Sequence, residues 1–264
     1  MGKPAIGLSL SGGGARGAAH IGLLRALEEA NWKPQHLVGV SAGAIVAAMY
    51  AAGRTPDAML QFLRNSSVYR LLGFGLPRKG LTSINYLRKR LQAELGEEAR
   101  FEDLEMPLHI GITNLNEGEI ELRSQGPLID VIAASSAIPF LFKPVEIEGQ
   151  QYVDGGIISN MPVQPLFDAK VDFIIGSNLM PALNLPPTDL SSIFGIMWRS
   201  FDLSIIANTR PCLERCDFVF EPPELKNYNI FSFSKMEEIH DLGYEYARKQ
   251  MPALLEQLTN MVAK

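Results

Sequence analysis

Short apolar runs alternate along the chain with longer segments in which apolar residues recur every three or four positions. Four of the short runs are bounded by turn residues, which predicts buried strands at residues 5–10, 37–40, 108–113 and 172–177. The longer pattern predicts helices over residues 18–30, 42–52 and 84–95, another beginning at Thr55-Pro56, and a last one from about residue 235. This alternation predicts an α/β fold with a mostly parallel central sheet.

Two further features of the pattern indicate antiparallel pairing and a single domain. A strand at residues 119–122 follows residues 108–113 across a turn at 116–118, and residues 144–148 and 152–154 read as a hairpin turned at Gly149-Gln150. No repeat or linker interrupts residues 1–264, so we predict one domain. Its motif-bearing core covers about 5–178, a variable region about 181–234, and a closing helix about 235–262.

Charge restricts the partners of this domain. The 264 residues carry 24 Lys and Arg against 29 Asp and Glu, a net charge of −5. An acidic field repels nucleic acid and anionic lipid, so we expect no nucleic-acid partner, and any transient contact with a membrane surface must rest on apolar side chains. The chain starts with no pattern of a signal peptide, which predicts a cytoplasmic location, and contact through apolar side chains would place the protein at the periphery of the membrane.

A glycine-rich loop joins the first predicted strand to the first helix. Residues 11–17 read SGGGARG, and Gly12, Gly14 and Gly17 satisfy the G-x-G-x-x-G pattern of dinucleotide sites. Such a site needs an acidic residue at the end of the second strand, where this chain has Val40-Ser41. The nucleotide interpretation therefore fails, whereas bare N–H groups beside a helix N-terminus still predict an anion site.

A serine lies at the next junction between a strand and a helix. Residues 39–43 read GVSAG, with an apolar strand before them and a helix of small residues after them. This pattern is typical of the sharp turn that lifts a serine Oγ clear of the backbone, with Gly39 and Gly43 preventing clashes. A tight turn whose serine only caps the helix is the alternative. Ser41 beside the glycine loop predicts a site that attacks a carbonyl and holds the resulting oxyanion.

The base that would activate this serine has two candidates. The chain order Ser41, Asp154, His240 suits a Ser–His–Asp triad, although His240 lies in a helical run at residues 236–246. The other candidate is Asp154 alone, in the sequence Val153-Asp154-Gly155-Gly156 at the end of the predicted hairpin. The two glycines permit a tight bend that turns the carboxylate into a site, but Asp-Gly is also an ordinary turn.

Taken in order, these motifs carry a family resemblance. The glycine loop, the serine turn and the Asp-Gly-Gly sequence resemble those of the patatin-like phospholipase family, over roughly residues 5–178. Residues 134–140 (ASSAIPF) and 142–145 (FKPV) are similar to the family's block before its aspartate, and Asn160 and Pro162 also fit. The resemblance implies a three-layer α/β/α fold and a small, single-domain member of the bacterial type.

The resemblance also implies a mechanism. Ser41 would be the nucleophile and Asp154 the base. The oxyanion hole would be formed by the glycine loop from Gly12, chiefly by the amides of Gly13 and Gly14, with help from Arg16 or its backbone. The remaining motif glycines are Gly17, Gly39, Gly43, Gly155 and Gly156. The family hydrolyses phospholipids, lysophospholipids or neutral acyl lipids without calcium, so we expect no metal and no cofactor. A Ser–His–Asp carboxylesterase, a transacylase and a catalytically silent regulator that binds a lipid or a protein are the alternatives.

An apolar run in the variable region has two interpretations. Residues 193–206 include Trp198 and Phe201 among many aliphatic residues. The run is either a buried helix of the core, or a lid or interfacial surface beside the acyl channel. In the second case Trp198 and Phe201 are the candidates for insertion into lipid.

Overall fold

The computed structural model describes residues 3–64, 84–181 and 191–262. The strands in these ranges are β1 Ile6–Leu10, β2 His36–Gly39, β3 Leu108–Asn114, β4 Glu119–Arg123, β5 Val145–Ile147, β6 Gln150–Asp154, β7 Phe173–Ser177 and β8 Phe218–Phe220. The α-helices are α1 Ala18–Glu29, α2 Ala42–Ala51, α3 Pro56–Arg64, α4 Asn85–Leu95, α5 Leu128–Ser135, α6 Gln164–Asp168, α7 Ile193–Leu213 and α8 Met236–Val262.

These strands form one sheet with a parallel centre. β3, β2, β1, β7 and β8 lie side by side in that order and all run in the same direction. β4 and β6 pair with β3 in the antiparallel sense, and β5 forms the predicted hairpin with β6. The predicted mostly parallel α/β sheet is confirmed.

Helices cover both faces of this sheet, because its central strands are apolar on both sides. On one face, Leu37 and Ile175 join a large buried cluster that includes residues of α1 and α2. On the other face, Val38 and Ile174 pack with Leu166 of α6. The three-layer arrangement is therefore confirmed. No helix in the described ranges combines the length and the apolar character needed to cross a bilayer.

The main departures from the predicted elements lie in the second half of the chain. α5, α6 and β8 were not predicted, because α5 is buried along nearly its whole length and the other two are short. The interpretation of residues 193–206 as a buried helix of the core holds only in part, because Ile205 is buried while other apolar positions face solvent. In α7 the side chains of Ile193, Ile196 and Leu203 are 87%, 54% and 50% exposed.

Candidate active site

Ser41 lies on a strained turn between β2 and α2. Its backbone has φ 53° and ψ −121°, in the half of conformational space that favours glycine, which costs on the order of 1–3 kcal/mol. Gly43 makes the turn possible, because a Cβ at that position would overlap the carbonyl oxygen of Leu10. The turn thus holds Ser41 out of the sheet while leaving it only 6% exposed.

A second serine holds the backbone of Ser41. The Ser41 amide donates to Oγ of Ser135 on α5 at 2.8 Å, and that hydroxyl donates to the carbonyl of Gly111 on β3 at 2.7 Å. The strained turn is therefore tied to the sheet by two buried hydrogen bonds. In the sequence, Ser135 appeared only as part of the segment 134–140 that is similar to the family, and no role was predicted for it.

The pairing of β3 explains how Asp154 comes to Ser41. Along β3, Ile110 pairs with Gly39 of β2, and two residues later Ile112 pairs with Asp154 of β6. Both residues of β3 also pair with β4, so β4 occupies the opposite edge of the strand. β2 and β6 must then pair with the same edge of β3, one after the other. β6 takes the edge from the point where β2 has ended. Asp154 consequently enters the space into which Ser41 turns.

The Asp154 carboxylate is buried and hydrogen-bonded to its partner serine. It is 4% exposed, bonds with the Ser41 side chain, and accepts the Gly156 amide at 2.8 Å through Oδ1. Burial raises the pKa of Asp154 from 3.8 to about 6, although both hydrogen bonds act to lower it. A carboxylate with a raised pKa is a stronger base than an exposed one, and it is already bonded to the hydroxyl whose proton it could take.

The glycine loop presents two free amides beside Ser41. The Gly12 amide donates to Asn160, at 3.0 Å to Oδ1 and 3.3 Å to the carbonyl oxygen. In the described part of the chain, the amides of Gly13 and Gly14 have no protein acceptor. Gly14 has φ 58°, and a Cβ there would overlap the carbonyl of Ile230, so only glycine fits this position.

Arg16 holds loops together around the glycine turn. Its Nε donates to the carbonyl of Tyr228 at 2.9 Å, as does Nη2, and its Nη1 donates to the carbonyl of Leu179 at 3.1 Å. Its own amide donates to the carbonyl of Gly13 at 3.2 Å. Burial lowers the pKa of this guanidinium, with Asp202 opposing the shift. Arg16 does not line the cavities at Ser41, so its position fits a brace for the loop.

His20 fixes the start of the same loop. Its Nε2 lies 2.9 Å from the carbonyl oxygen of Ser11, and its Nδ1 lies 2.8 Å from Oγ of Ser177 at the end of β7. Burial lowers the pKa of His20 to about 4, so the ring is neutral at pH 7. A neutral ring must then donate through Nε2 to the carbonyl and accept through Nδ1 from the hydroxyl. This residue links the first residue of the glycine loop to the end of β7.

His240 is not brought together with Ser41 and Asp154. It lies on α8, where Nδ1 is 2.9 Å from the Asp241 carboxylate and the ring stacks on Tyr244. It lines neither of the cavities that Ser41 lines. Of the predicted site residues, the structure therefore groups Ser41, Asp154 and the glycine loop, and leaves the histidine in the contact between α8 and α1.

Two cavities meet at Ser41. The larger one is open to solvent, spans about 710 Å³ when the space at its mouth is included, and is almost wholly apolar. Its lining includes Ala18, Ile45, Val46, Phe62, Leu63, Leu87, Phe233 and Met236. The smaller one measures about 320 Å³ and is lined by the glycine loop together with Asp154, Asn160, Phe201, Asp202 and Ile205. Gly14, Ser41 and Ile138 belong to both.

Helix α7 lines one side of the smaller cavity and is anchored to the loop that carries Asp154. The Asn208 side chain donates to the carbonyls of Gly156 and Ile157 at 2.8 and 3.0 Å and accepts the Asn160 amide at 3.0 Å. Trp198 and Phe201, predicted as candidates for lipid insertion, are half-buried and have ring centroids 5.7 Å apart. Sequence reasoning did not find Asn208, because an asparagine within a helix carries no local signal.

The fold and this site define a class of protein: a three-layer α/β/α domain with a Ser–Asp pair beside a glycine loop at the carboxyl edge of a parallel sheet. The family model described as patatin-like phospholipase matches residues 8–167, more than half of the chain. The chain belongs to the patatin-like phospholipase family.

Relatives in sequence come from bacteria and fungi. An uncharacterized NTE family protein of Mycobacterium tuberculosis is 32% identical over 213 residues, which cover 76% of this chain and 59% of that protein. The lysophospholipase NTE1 of Saccharomyces cerevisiae is 27% identical over 286 residues, which cover 96% of this chain and 17% of that protein. The chain thus spans about three-fifths of the first relative and a small part of the second.

A solved structure supports the fold independently. Human GIVD cytosolic phospholipase A2 superposes with a TM-score of 0.56, covering 98% of this chain and 60% of that protein. Sequence identity over the match is 12%, so this likeness concerns the architecture alone.

Proposed function

We propose that this chain is a serine hydrolase of lipid acyl esters, with Ser41 as nucleophile and Asp154 as base. The observation that carries the proposal is the hydrogen bond between the Ser41 side chain and the buried Asp154 carboxylate. Ser41 and Gly14 line both the large apolar cavity and the smaller one, and the smaller one is also lined by Asp154 and Gly13. An activated hydroxyl, oxyanion donors and a place for an acyl chain are the three requirements of the reaction.

In the proposed reaction, Asp154 accepts the Ser41 proton as Oγ bonds to the ester carbonyl carbon. The charge that develops on the carbonyl oxygen is stabilised by the amides of Gly13 and Gly14. When the intermediate collapses, the bond from carbon to the alcohol oxygen breaks and Asp154 returns its proton to that oxygen. Water then attacks the acyl-serine with Asp154 again as base, releasing the fatty acid and restoring Ser41.

The apolar cavity supports long-chain substrates. A cavity with almost no polar lining suits an aliphatic chain, whose burial contributes about 0.8 kcal/mol per CH₂. The fungal relatives bear the name lysophospholipase, which supports lysophospholipids as one substrate class. We therefore propose long-chain acyl lipids, lysophospholipids among them, in preference to short soluble esters, and a cytoplasmic protein that works at lipid surfaces.

A total lipid extract provides a test that presupposes no head group. The purified protein is incubated with the extract, and losses and products are identified by mass spectrometry. We expect loss of acyl lipids with equimolar release of fatty acid, and no change with Ser41→Ala. Unchanged lipid profiles with the wild-type protein would refute the proposed hydrolysis. Transfer of the acyl group to another alcohol would favour the transacylase alternative.

Gly13→Ala should weaken the oxyanion hole while preserving the fold. A Cβ at this position would lie 2.8 Å from Cβ of Leu179, so the loop must shift and displace the amide. We expect kcat to fall on the order of 10²–10³-fold, the usual loss for one oxyanion donor. The measurement is kcat on one ester, with the thermal midpoint as control. Wild-type turnover in a folded Gly13→Ala protein would contradict this role.

The exposed apolar face of α7 should contribute to binding at lipid surfaces. Because Ile196 and Leu203 are 54% and 50% exposed, changing both to Ser removes apolar surface without opening the core. We expect vesicle binding in a sedimentation assay to weaken on the order of tenfold, which corresponds to a loss of about 1.4 kcal/mol of binding free energy. Turnover of a short soluble ester should change less than twofold. Equal losses on vesicles and on the soluble ester would contradict a surface role.

A further inference from the structure

Asn160 has a side chain whose orientation is fixed by its neighbours. It is 1% exposed, and its own amide donates to Asn208 Oδ1 at 3.0 Å. The Gly12 amide, which can only donate, lies 3.0 Å from Asn160 Oδ1. This contact determines which atom of the side-chain amide is the oxygen, so Nδ2 must point away from Gly12.

Nδ2 of Asn160 is a buried donor without a protein acceptor in the described part of the chain. Leaving such a group unpaired costs about 1–3 kcal/mol, so its retention calls for an explanation. The residue lines the smaller cavity together with Ser41 and Asp154. The residue that carries this donor therefore lies at the reacting centre, and the donor has no partner among the described residues.

The surroundings of Gly12 and Gly156 show how close Asn160 lies to the reacting groups. A Cβ placed on Gly12 would be 2.5 Å from Asn160 Oδ1 and 3.1 Å from Ser41 Cβ. A Cβ placed on Gly156 would be 2.9 Å from the same Oδ1 and 3.0 Å from Asp154 Oδ1. The side-chain amide of Asn160 therefore lies close to both Ser41 and Asp154, and the space between them would hold only a small group.

Two atoms of an ester gain negative charge during cleavage. The carbonyl oxygen does so first, and the amides of Gly13 and Gly14 can receive it. The alcohol oxygen does so as its bond to carbon breaks. An ester carbon bonded to Ser41 with its chain in the apolar cavity has the smaller cavity left for its alcohol part.

We propose that Asn160 is a catalytic residue whose Nδ2 donates a hydrogen bond to the alcohol oxygen of the departing group. This inference rests on the proposed function. The bond between the carbonyl carbon and the alcohol oxygen breaks, the electron pair stays on oxygen, and the proton comes from Asp154. Asn160 stabilises the developing charge and keeps both of its protons. In the second half of the reaction it donates to the oxygen of the attacking water.

The test compares two esters of the same long-chain acid. As its bond to carbon breaks, the alcohol oxygen of an alkyl ester holds a localised negative charge until Asp154 protonates it, whereas a 4-nitrophenyl ester leaves as a delocalised phenolate that needs little stabilisation. We expect Asn160→Ala to lower kcat/KM on the order of 10²-fold for the alkyl ester, the loss typical of one donor to developing charge. For the 4-nitrophenyl ester we expect a loss of less than about threefold. We measure kcat/KM because it reports the steps up to release of the alcohol. It does not include hydrolysis of the acyl-serine, which is the same for both esters.

Controls separate this role from a structural one. In Asn160→Ala the Gly12 amide keeps the Asn160 carbonyl as acceptor, and the fold is checked by the thermal midpoint and by fluorophosphonate labelling of Ser41. Asn160→Ser is the second variant if Asn160→Ala does not fold. Asn208→Ala removes the acceptor of the Asn160 amide but leaves Nδ2 in place, so it should affect both esters by the same factor.

Two outcomes would overturn the inference. Equal losses on both esters in a folded Asn160 variant would assign it to the oxyanion hole or to structure, and wild-type rates on both would leave it no catalytic role. Failure of the proposed function is distinguishable, because the wild-type protein would then neither take up the fluorophosphonate nor cleave either ester, and the inference would fall with it.

Discussion

Ser41→Ala should lower ester turnover on the order of 10⁶-fold, the loss seen when a serine enzyme is deprived of its nucleophile. The reason is that the acyl-serine route disappears, whereas the amides of Gly13 and Gly14 and the apolar cavity remain. A small residual rate from these groups should persist over the uncatalysed reaction. The measurement is kcat on a long-chain ester, with catalyst concentration raised for the variant.

Covalent labelling provides the direct check on Ser41. A fluorophosphonate probe should label the wild-type protein at this one serine and leave Ser41→Ala unlabelled, because the strained turn presents Oγ and the free amides stabilise the tetrahedral adduct. Full labelling of Ser41→Ala would contradict the assignment. Ser41→Gly is a matched control: it also lacks the hydroxyl, but glycine accepts φ 53° without strain. It should be inactive and more stable than Ser41→Ala by about 1 kcal/mol.

The local part of this site was predictable from sequence, because the turn that carries Ser41 is short in sequence. A strand, two close glycines and a helix of small residues lie within a few positions of one another, and each has a steric reason visible in the structure. The glycine loop is local in the same sense. The sequence did not show which amides of this loop are free, however, because the acceptor of the Gly12 amide is Asn160, in the second half of the chain.

The pairing of Ser41 with Asp154 could be inferred only from the family resemblance. Its physical cause is the shared edge of β3, where β6 begins after β2 has left, and no pattern within β2 or β6 indicates this. Helix α7 shows the same limit. Its apolar residues read as either core or surface, and the structure assigns one face to the cavity and another to solvent.

Burial of Asp154 links activity to stability. The folded pKa of about 6 lies above the ordinary 3.8, so the folded state binds this proton more tightly than the unfolded state does. The resulting stabilisation is fully present below pH 3.8 and is lost as the pH rises through 6. Above that pH the folded protein carries a buried anion at a cost of roughly 3 kcal/mol. The same burial makes Asp154 a stronger base.

Asp154→Asn should abolish turnover while leaving the fold intact. The amide keeps the shape of the carboxylate and an oxygen for the Gly156 amide, but it cannot take the Ser41 proton. We expect a loss of kcat approaching that of Ser41→Ala, since the two residues act as a unit. At pH 8 the variant should also have a thermal midpoint at least as high as that of the wild type, because the buried charge is gone. A folded Asp154→Asn protein with substantial turnover would contradict the role of this carboxylate as base.

The pH dependence and His240→Ala together separate a dyad from a triad. In a dyad, kcat/KM should fall below about pH 6 as Asp154 is protonated, and His240→Ala should keep both that decline and most of the activity. A histidine base would titrate in the same range, so the position of the decline alone does not decide. The structure places His240 on α8, hydrogen-bonded to Asp241 and outside both cavities. If folded His240→Ala were as inactive as Ser41→Ala, Asp154 would have to act through the histidine, and the Ser–His–Asp mechanism would replace the dyad.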